Sequence, residues 1–255
     1  MELWILVFLL VVVQPLVGWW RFRSYLGREP VVPTKRKLRF YGMIVFTQWT
    51  LMLLCAWVLS RRHLNIAELG LLTLGPLWAW VAAATLAVVL IGATFVAVRN
   101  LRKSARDEFP PHLARMSRIL PLHPIERVGF TPVAFTAGIC EETLYRGFLT
   151  YAFLQVTHSM PAALGLSTLA FGFGHIYQGP RGVLSTALLG AFLASIYWGA
   201  ASLWPGIALH AAIDLVNGNV LGSLSRLTLT PAEPDAHTGA STSEASPPLE
   251  RTTGT

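Results

Sequence analysis

The chain has 255 residues, 53% of them hydrophobic and only 13% charged, with a mean hydropathy of +0.52. That balance excludes an ordinary soluble domain and points to an integral membrane protein. The net charge of +7 invites a nucleic-acid partner, but the Lys and Arg residues cluster beside apolar runs, which excludes one.

Runs of about 20 apolar residues, the length that spans a bilayer, recur along the sequence. The expected fold is all-α, a polytopic transmembrane helical bundle of about seven spans, within a range of six to eight. The spans read as Leu3 to Trp20, Tyr41 to Ser60, Leu77 to Val98, Pro132 to Phe153, Pro161 to Tyr177, Val183 to Trp198 and Leu203 to Gly222. The stretch Leu64 to Leu74 is moderately apolar and is the place where an eighth segment would dip into the membrane. The first span lacks the basic start and small-residue cleavage site of a signal peptide and is expected to stay as a helix.

Seven basic residues fall between Arg21 and Arg39, Lys37 among them, and seven more between Arg99 and Arg127. Read by the positive-inside rule, both stretches are cytoplasmic loops, with the N-terminus outside and the C-terminus in the cytoplasm. The short chain and minimal loops favour a prokaryotic inner membrane, with the lipid bilayer itself as a partner. Cys55 and Cys140 lie in different spans and read as packing residues.

The first three spans hold no Asp, Glu, Lys, Arg or His well inside them and read as scaffold. Gln48 and Thr47 are polar exceptions, expected to make helix-to-helix hydrogen bonds. From about Phe130 the character changes. The spans now carry Glu141, Glu142, Arg146, His175, His210 and Asp214, although each ionisable group costs roughly 2.5–3.5 kcal/mol to insert. Glycines and alanines in "FGFGH" and "LLGAFLAS" let helix backbones approach closely.

Thr131 and Pro132 read as an N-cap and first helical residue, which sets Glu141 near mid-membrane. Glu142 and Arg146 are spaced i, i+4 and form an ion pair on one face, with Glu141 rotated about 100° from them. Glu141 is thus the candidate general base. Phe171 and His175 share a face, as do His210 and Asp214. Counted along straight helices, His175 and His210 stand on opposite sides of Glu141, spread over about 10 Å. The closing stretch from 223 is rich in Pro, Ser and Thr and is expected to be a disordered cytoplasmic tail.

The ordered set EExxxR, FxxxH and HxxxD, each on its own helix, resembles the type II CAAX prenyl endopeptidases and their bacterial relatives, the CPBP or Abi intramembrane proteases. The resemblance rests on Glu141, Glu142 and Arg146, Phe171 and His175, and His210 and Asp214, and covers about a third of the chain. The chain thus divides into a transmembrane scaffold at 1–127, a core at 128–222 that the resemblance makes catalytic, and the tail at 223–255. The resemblance also implies an intramembrane endopeptidase acting on a membrane-associated or lipidated peptide or protein. In the family pattern Glu141 and His175 activate a water, while His210 and Asp214 face the oxyanion. Glu142 and Arg146 then support Glu141. Asp214 stands where many members have Asn, so it acts either protonated or by orienting His210.

No cofactor is favoured. Glu141, His175 and His210 are the set that would hold zinc if a divalent metal binds. Two other functions stay open at this point: a non-catalytic membrane protein of the bacteriocin-immunity kind, and a proton-coupled transporter.

Overall fold

The computed structural model describes residues 1–27, 32–104 and 115–229. These residues form helices and connecting turns with no strand among them. They make seven rods, as an all-α membrane bundle requires.

Helix α1, Glu2–Tyr25, contains a π-helical turn at Leu9–Val13. Its cause is local. Pro15 has no N–H to give, and the Gln14 N–H bonds five residues back to Leu9. Helix α2 spans Thr34–Ser60 and begins directly after Pro33. It therefore starts seven residues before Tyr41, and takes in Lys37 and Arg39, which read as loop residues in the sequence. Arg28 and Arg106, from the two basic stretches, lie outside the described residues.

The stretch after α2 is not an eighth span. Ile66–Leu69 form a single 3-10 turn, capped by the Asn65 side chain on Ala67 N–H and ended by Gly70 at φ 115. It is tied across the bundle: Leu203 N–H donates to Gly70 O at 2.8 Å and Trp204 Nε1 to Leu71 O at 3.0 Å. Helix α3 then runs Leu77–Ser104.

The next rod has three parts: α4 at Pro124–Thr136, a π-helix at Ala137–Leu149 and α5 at Thr150–Thr157. The Thr131–Pro132 pair does not start it. Pro124 takes the first-turn position, and Glu126 accepts from the backbone N–H groups of Leu122 and His123. Pro132 lies inside the helix, where Thr131 Oγ1 bonds back to Arg127 O. Helices α6 (Met160–Gly174), α7 (Pro180–Ala200) and α8 (Trp204–Leu229) complete the bundle. Helix α8 continues past Gly222, so only 230–255 of the expected tail lie outside the described residues.

Glu2–Tyr25, Thr34–Ser60, Leu77–Ala97 and Pro180–Ala200 are long and apolar enough to cross a membrane, and Met160–Gly174 is a shorter apolar helix. The rod containing the π-helix and α8 carry most of the ionisable site groups. Large apolar side chains such as Phe46, Leu53, Val88, Phe95 and Leu188 point outward, as a lipid-facing surface requires. Inside, α1, α2, the π-helix, α5 and α6 share one core of Leu6, Leu10, Leu59, Phe148 and Phe171. Cys55 and Cys140 are free thiols in that same core. Helix α8 packs on α3, and α6 on α7.

Candidate active site

The glutamate pair lies in the π-helix, thirteen residues long, where π geometry is usually confined to a single turn and often marks a functional site. The π-helix meets α8 closely. A Cβ on Gly138 would come within 2.8 Å of Ile207 O, so only glycine allows this approach. That contact brings the glutamates against His210.

Glu142 is fully buried and fully engaged. Its Oε1 accepts from Arg146 Nη1 at 3.1 Å and from His210 Nδ1 at 2.8 Å. The i, i+4 ion pair read from the sequence is present, and Glu142 also fixes the imidazole of His210. Arg146 lies over the Phe171 ring, 3.9 Å from its centroid. Space for both comes from Gly190, whose Cβ would meet Arg146 Nη2 at 2.8 Å and Phe171 at 2.9 Å. Gly190 belongs to the "LLGAFLAS" run.

Phe171 does more than sit beside His175. Its ring packs edge-on against His175 at 4.8 Å, His210 at 5.8 Å and Tyr145 at 5.2 Å between centroids. Its backbone carbonyl accepts from His175 Nδ1 at 2.9 Å. A carbonyl cannot donate, so His175 carries its proton on Nδ1 and turns Nε2 to the pocket. His210 is held in the same sense, with Nδ1 donating to Glu142.

Both Nε2 atoms face one oxygen. Glu141 Oε2 is 3.9 Å from His175 Nε2 and 3.8 Å from His210 Nε2. It is buried and has no hydrogen-bond partner in the protein. The two histidines are therefore not spread over about 10 Å. The depth count took Pro132 as the start of the rod, and the helix begins at Pro124 instead. His175 also sits just past the end of α6, as its C-cap.

Asp214 stands at the rim, about a third exposed, with Oδ2 3.9 Å from His210 Nε2. His210 is held by Glu142 on its other nitrogen, Nδ1, so the two carboxylates flank the imidazole from opposite sides.

Two residues that the sequence reading did not assign to the site are here. Gln48 of α2 donates from Nε2 to Glu141 Oε1 at 2.6 Å. Gln14, aimed by the π turn of α1, accepts from Tyr145 Oη at 3.4 Å. Polarity inside an apolar span was the available signal for Gln48, and its helix-to-helix bond is present. Nothing in the sequence named Glu141 as its partner.

The pocket of about 110 Å³ is lined by Gln14, Gln48, Glu141, Tyr145, His175 and Tyr177. Phe22 and Tyr177 also border a cavity of about 500 Å³ walled by Arg23, Arg115 and Arg118. The pocket thus adjoins a polar cavity at the basic end of the bundle.

No set of three His, Cys, Asp or Glu among the described residues is grouped tightly enough to hold a metal ion. The donor spacing explains why. An ion about 2.1 Å from each donor would see Glu141 Oε2 and either Nε2 at roughly 130–135°, wide of the tetrahedral angle zinc takes.

Residues 125–216 match the family model for the type II CAAX prenyl endopeptidase Rce1-like proteins. All seven residues of the three motifs lie within that stretch, while Gln14 and Gln48 lie outside it. No curated protein and no solved structure matches the chain.

Proposed function

We propose, from the match of residues 125–216 to the family model of the type II CAAX prenyl endopeptidase Rce1-like proteins, that this membrane protein hydrolyses a peptide bond of a membrane-associated substrate with a glutamate-activated water. The observation that carries the reading is the buried, unbonded Glu141 Oε2 with two imidazole Nε2 atoms turned towards it. A buried carboxylate oxygen without a donor is costly, and a water answers the cost.

A water about 2.8 Å from both Glu141 Oε2 and His175 Nε2 would see them at roughly 90°, within reach of its own proton geometry. It donates one proton to each and keeps a lone pair for the scissile carbonyl carbon. Glu141 takes the first proton as the new C–O bond forms. His210, as the imidazolium, donates from Nε2 to the oxyanion while Nδ1 stays on Glu142. Glu141 then passes its proton to the leaving amine as the C–N bond breaks. The residues that act are Glu141, His175 and His210, supported by Glu142, Arg146 and Phe171. Water arrives from the arginine-walled cavity. In this reading no metal takes part.

The test is cleavage of a membrane-peptide library by purified protein in lipid vesicles, with and without a strong chelator. Wild type should cleave in both conditions and Glu141→Gln in neither. Loss of activity with chelator, restored by zinc, would turn the site into a metalloprotease of Glu141, His175 and His210. A folded wild type that cleaves nothing would favour the non-catalytic reading.

A further inference from the structure

Gln48 has one buried polar atom that the protein leaves unused. Its side-chain NH2 must face Glu141 Oε1, because the opposite amide orientation would set two acceptors 2.6 Å apart. The amide oxygen Oε1 is then turned away, buried and without a hydrogen-bond partner. A buried carbonyl-type oxygen of this kind calls for a donor.

The surroundings identify the donor's class. Gln48 stands where the catalytic pocket meets a groove of about 190 Å³ between α1 and α2, and it lines both. The groove is otherwise mostly apolar, with Leu9, Val13, Val17, Ile44 and Leu51 along it. A peptide segment passing through such a groove in extended form has backbone N–H groups that its apolar walls cannot satisfy. An unpaired acceptor and an unpaired donor meet there, each removing the other's cost.

We infer that Gln48 is a substrate-binding residue as well as the group that holds Glu141: its Oε1 accepts a backbone N–H of the substrate close to the scissile bond. One side chain thereby links substrate register to the orientation of the base. Holding Oε1 of Glu141 leaves Oε2 as the oxygen that meets the water. The inference rests on the protease reading of this site but adds a residue from α2, outside the stretch that matches the family.

The experiment is an N-methyl scan. A peptide that wild type cleaves is remade with single backbone N-methyl groups around the cleavage site, and kcat and KM are measured in vesicles for wild type, Gln48→Leu and Gln48→Met. In wild type, one position should be sensitive, losing about tenfold in kcat/KM when its N–H is removed. Both variants should lose that sensitivity at that position alone. On the unmodified peptide their kcat should fall by about 10²-fold, as expected of a slackened base. Thermal unfolding checks that the variants fold, and the length-matched methionine serves if leucine disrupts packing. If a folded variant keeps the same sensitive position, or cleaves at the wild-type rate, the inference is overturned and the protease reading stands. If wild type cleaves no peptide of the library, both fall.

Discussion

Two carboxylates, fifteen positions apart on one rod, are treated in opposite ways. Glu126 is 0% exposed and surrounded by donors: Thr34 Oγ1 at 2.7 Å, Lys37 Nζ at 3.0 Å and Leu122 N–H at 2.7 Å. Lys37, equally buried, spends a further donor on Leu120 O. Glu141 is 15% exposed, has Gln48 on one oxygen, and keeps its other oxygen bare between two imidazoles beyond hydrogen-bond reach. The first is closed and ties the start of α2 to the start of α4. The second is held on one side and open on the other, which is what a group that must receive a proton requires. Burial alone does not separate structural from chemical charges; the completeness of the hydrogen-bond set does.

The largest effect should come from the open site. Glu141→Gln keeps shape and the chance of a hydrogen bond with Gln48 but removes the base. Cleavage should fall by about 10²–10⁴-fold with the unfolding temperature nearly unchanged. A variant that loses stability but keeps its turnover would show that Glu141 belongs with Glu126 as a structural carboxylate.

The closed site should respond in the opposite sense. Lys37→Met leaves Glu126 buried without its cation and should destabilise the protein by about 3–5 kcal/mol. The double variant Lys37→Met, Glu126→Leu removes both charges and should recover part of that loss, the remainder being the Leu122 and His123 N–H groups that Glu126 caps. Unfolding measurements on the single and double variants check this. Cleavage per folded molecule should stay near wild type in both, since neither residue lines the pocket.

These two sites were not equally legible. EExxxR, FxxxH and HxxxD are local spacings, so Glu141, His175 and His210 could be picked out from one sequence. The Lys37–Glu126 pair spans 89 positions, and Lys37 read as one more loop cation. Gln48 was visible as a polar residue in a span, but which helix faces it is decided only by packing. The start of the fourth rod is hard to read because Pro132 looks like a helix-opening proline, while Pro124 with Glu126 is the pair that caps the helix. The π-helix at Ala137–Leu149 left no mark in the sequence: its residues read as an ordinary helix, and the structure gives no local residue that sets its i, i+5 bonding.

Between the two extremes lies Glu142, closed like Glu126 but in contact with the reacting group. Glu142→Gln weakens the Arg146 pair and the charged bond that aims His210. A loss of about 10–100-fold in kcat is expected, comparable to removing the partner that orients a functional imidazole. KM should change little, because Glu142 lies behind His210 and away from the pocket. A rise in KM without a fall in kcat would move its role from His210 to substrate binding.

Asp214 gives the smallest effect and the finest test of the comparison. It is open like Glu141, about a third exposed, and meets His210 Nε2 from the rim at 3.9 Å. If openness alone marked a reacting carboxylate, Asp214→Asn would be as damaging as Glu141→Gln. The geometry argues otherwise. His210 is already aimed by Glu142, and an Asn amide at the rim can donate to an oxyanion that an ionised carboxylate repels. The expected change in kcat/KM is within about threefold of wild type, with a gain as the favoured sign, since one repulsion is removed for less than about 1 kcal/mol at a wet, screened position. A loss beyond tenfold would mean that the proton of Asp214, and not its position, is what the reaction uses.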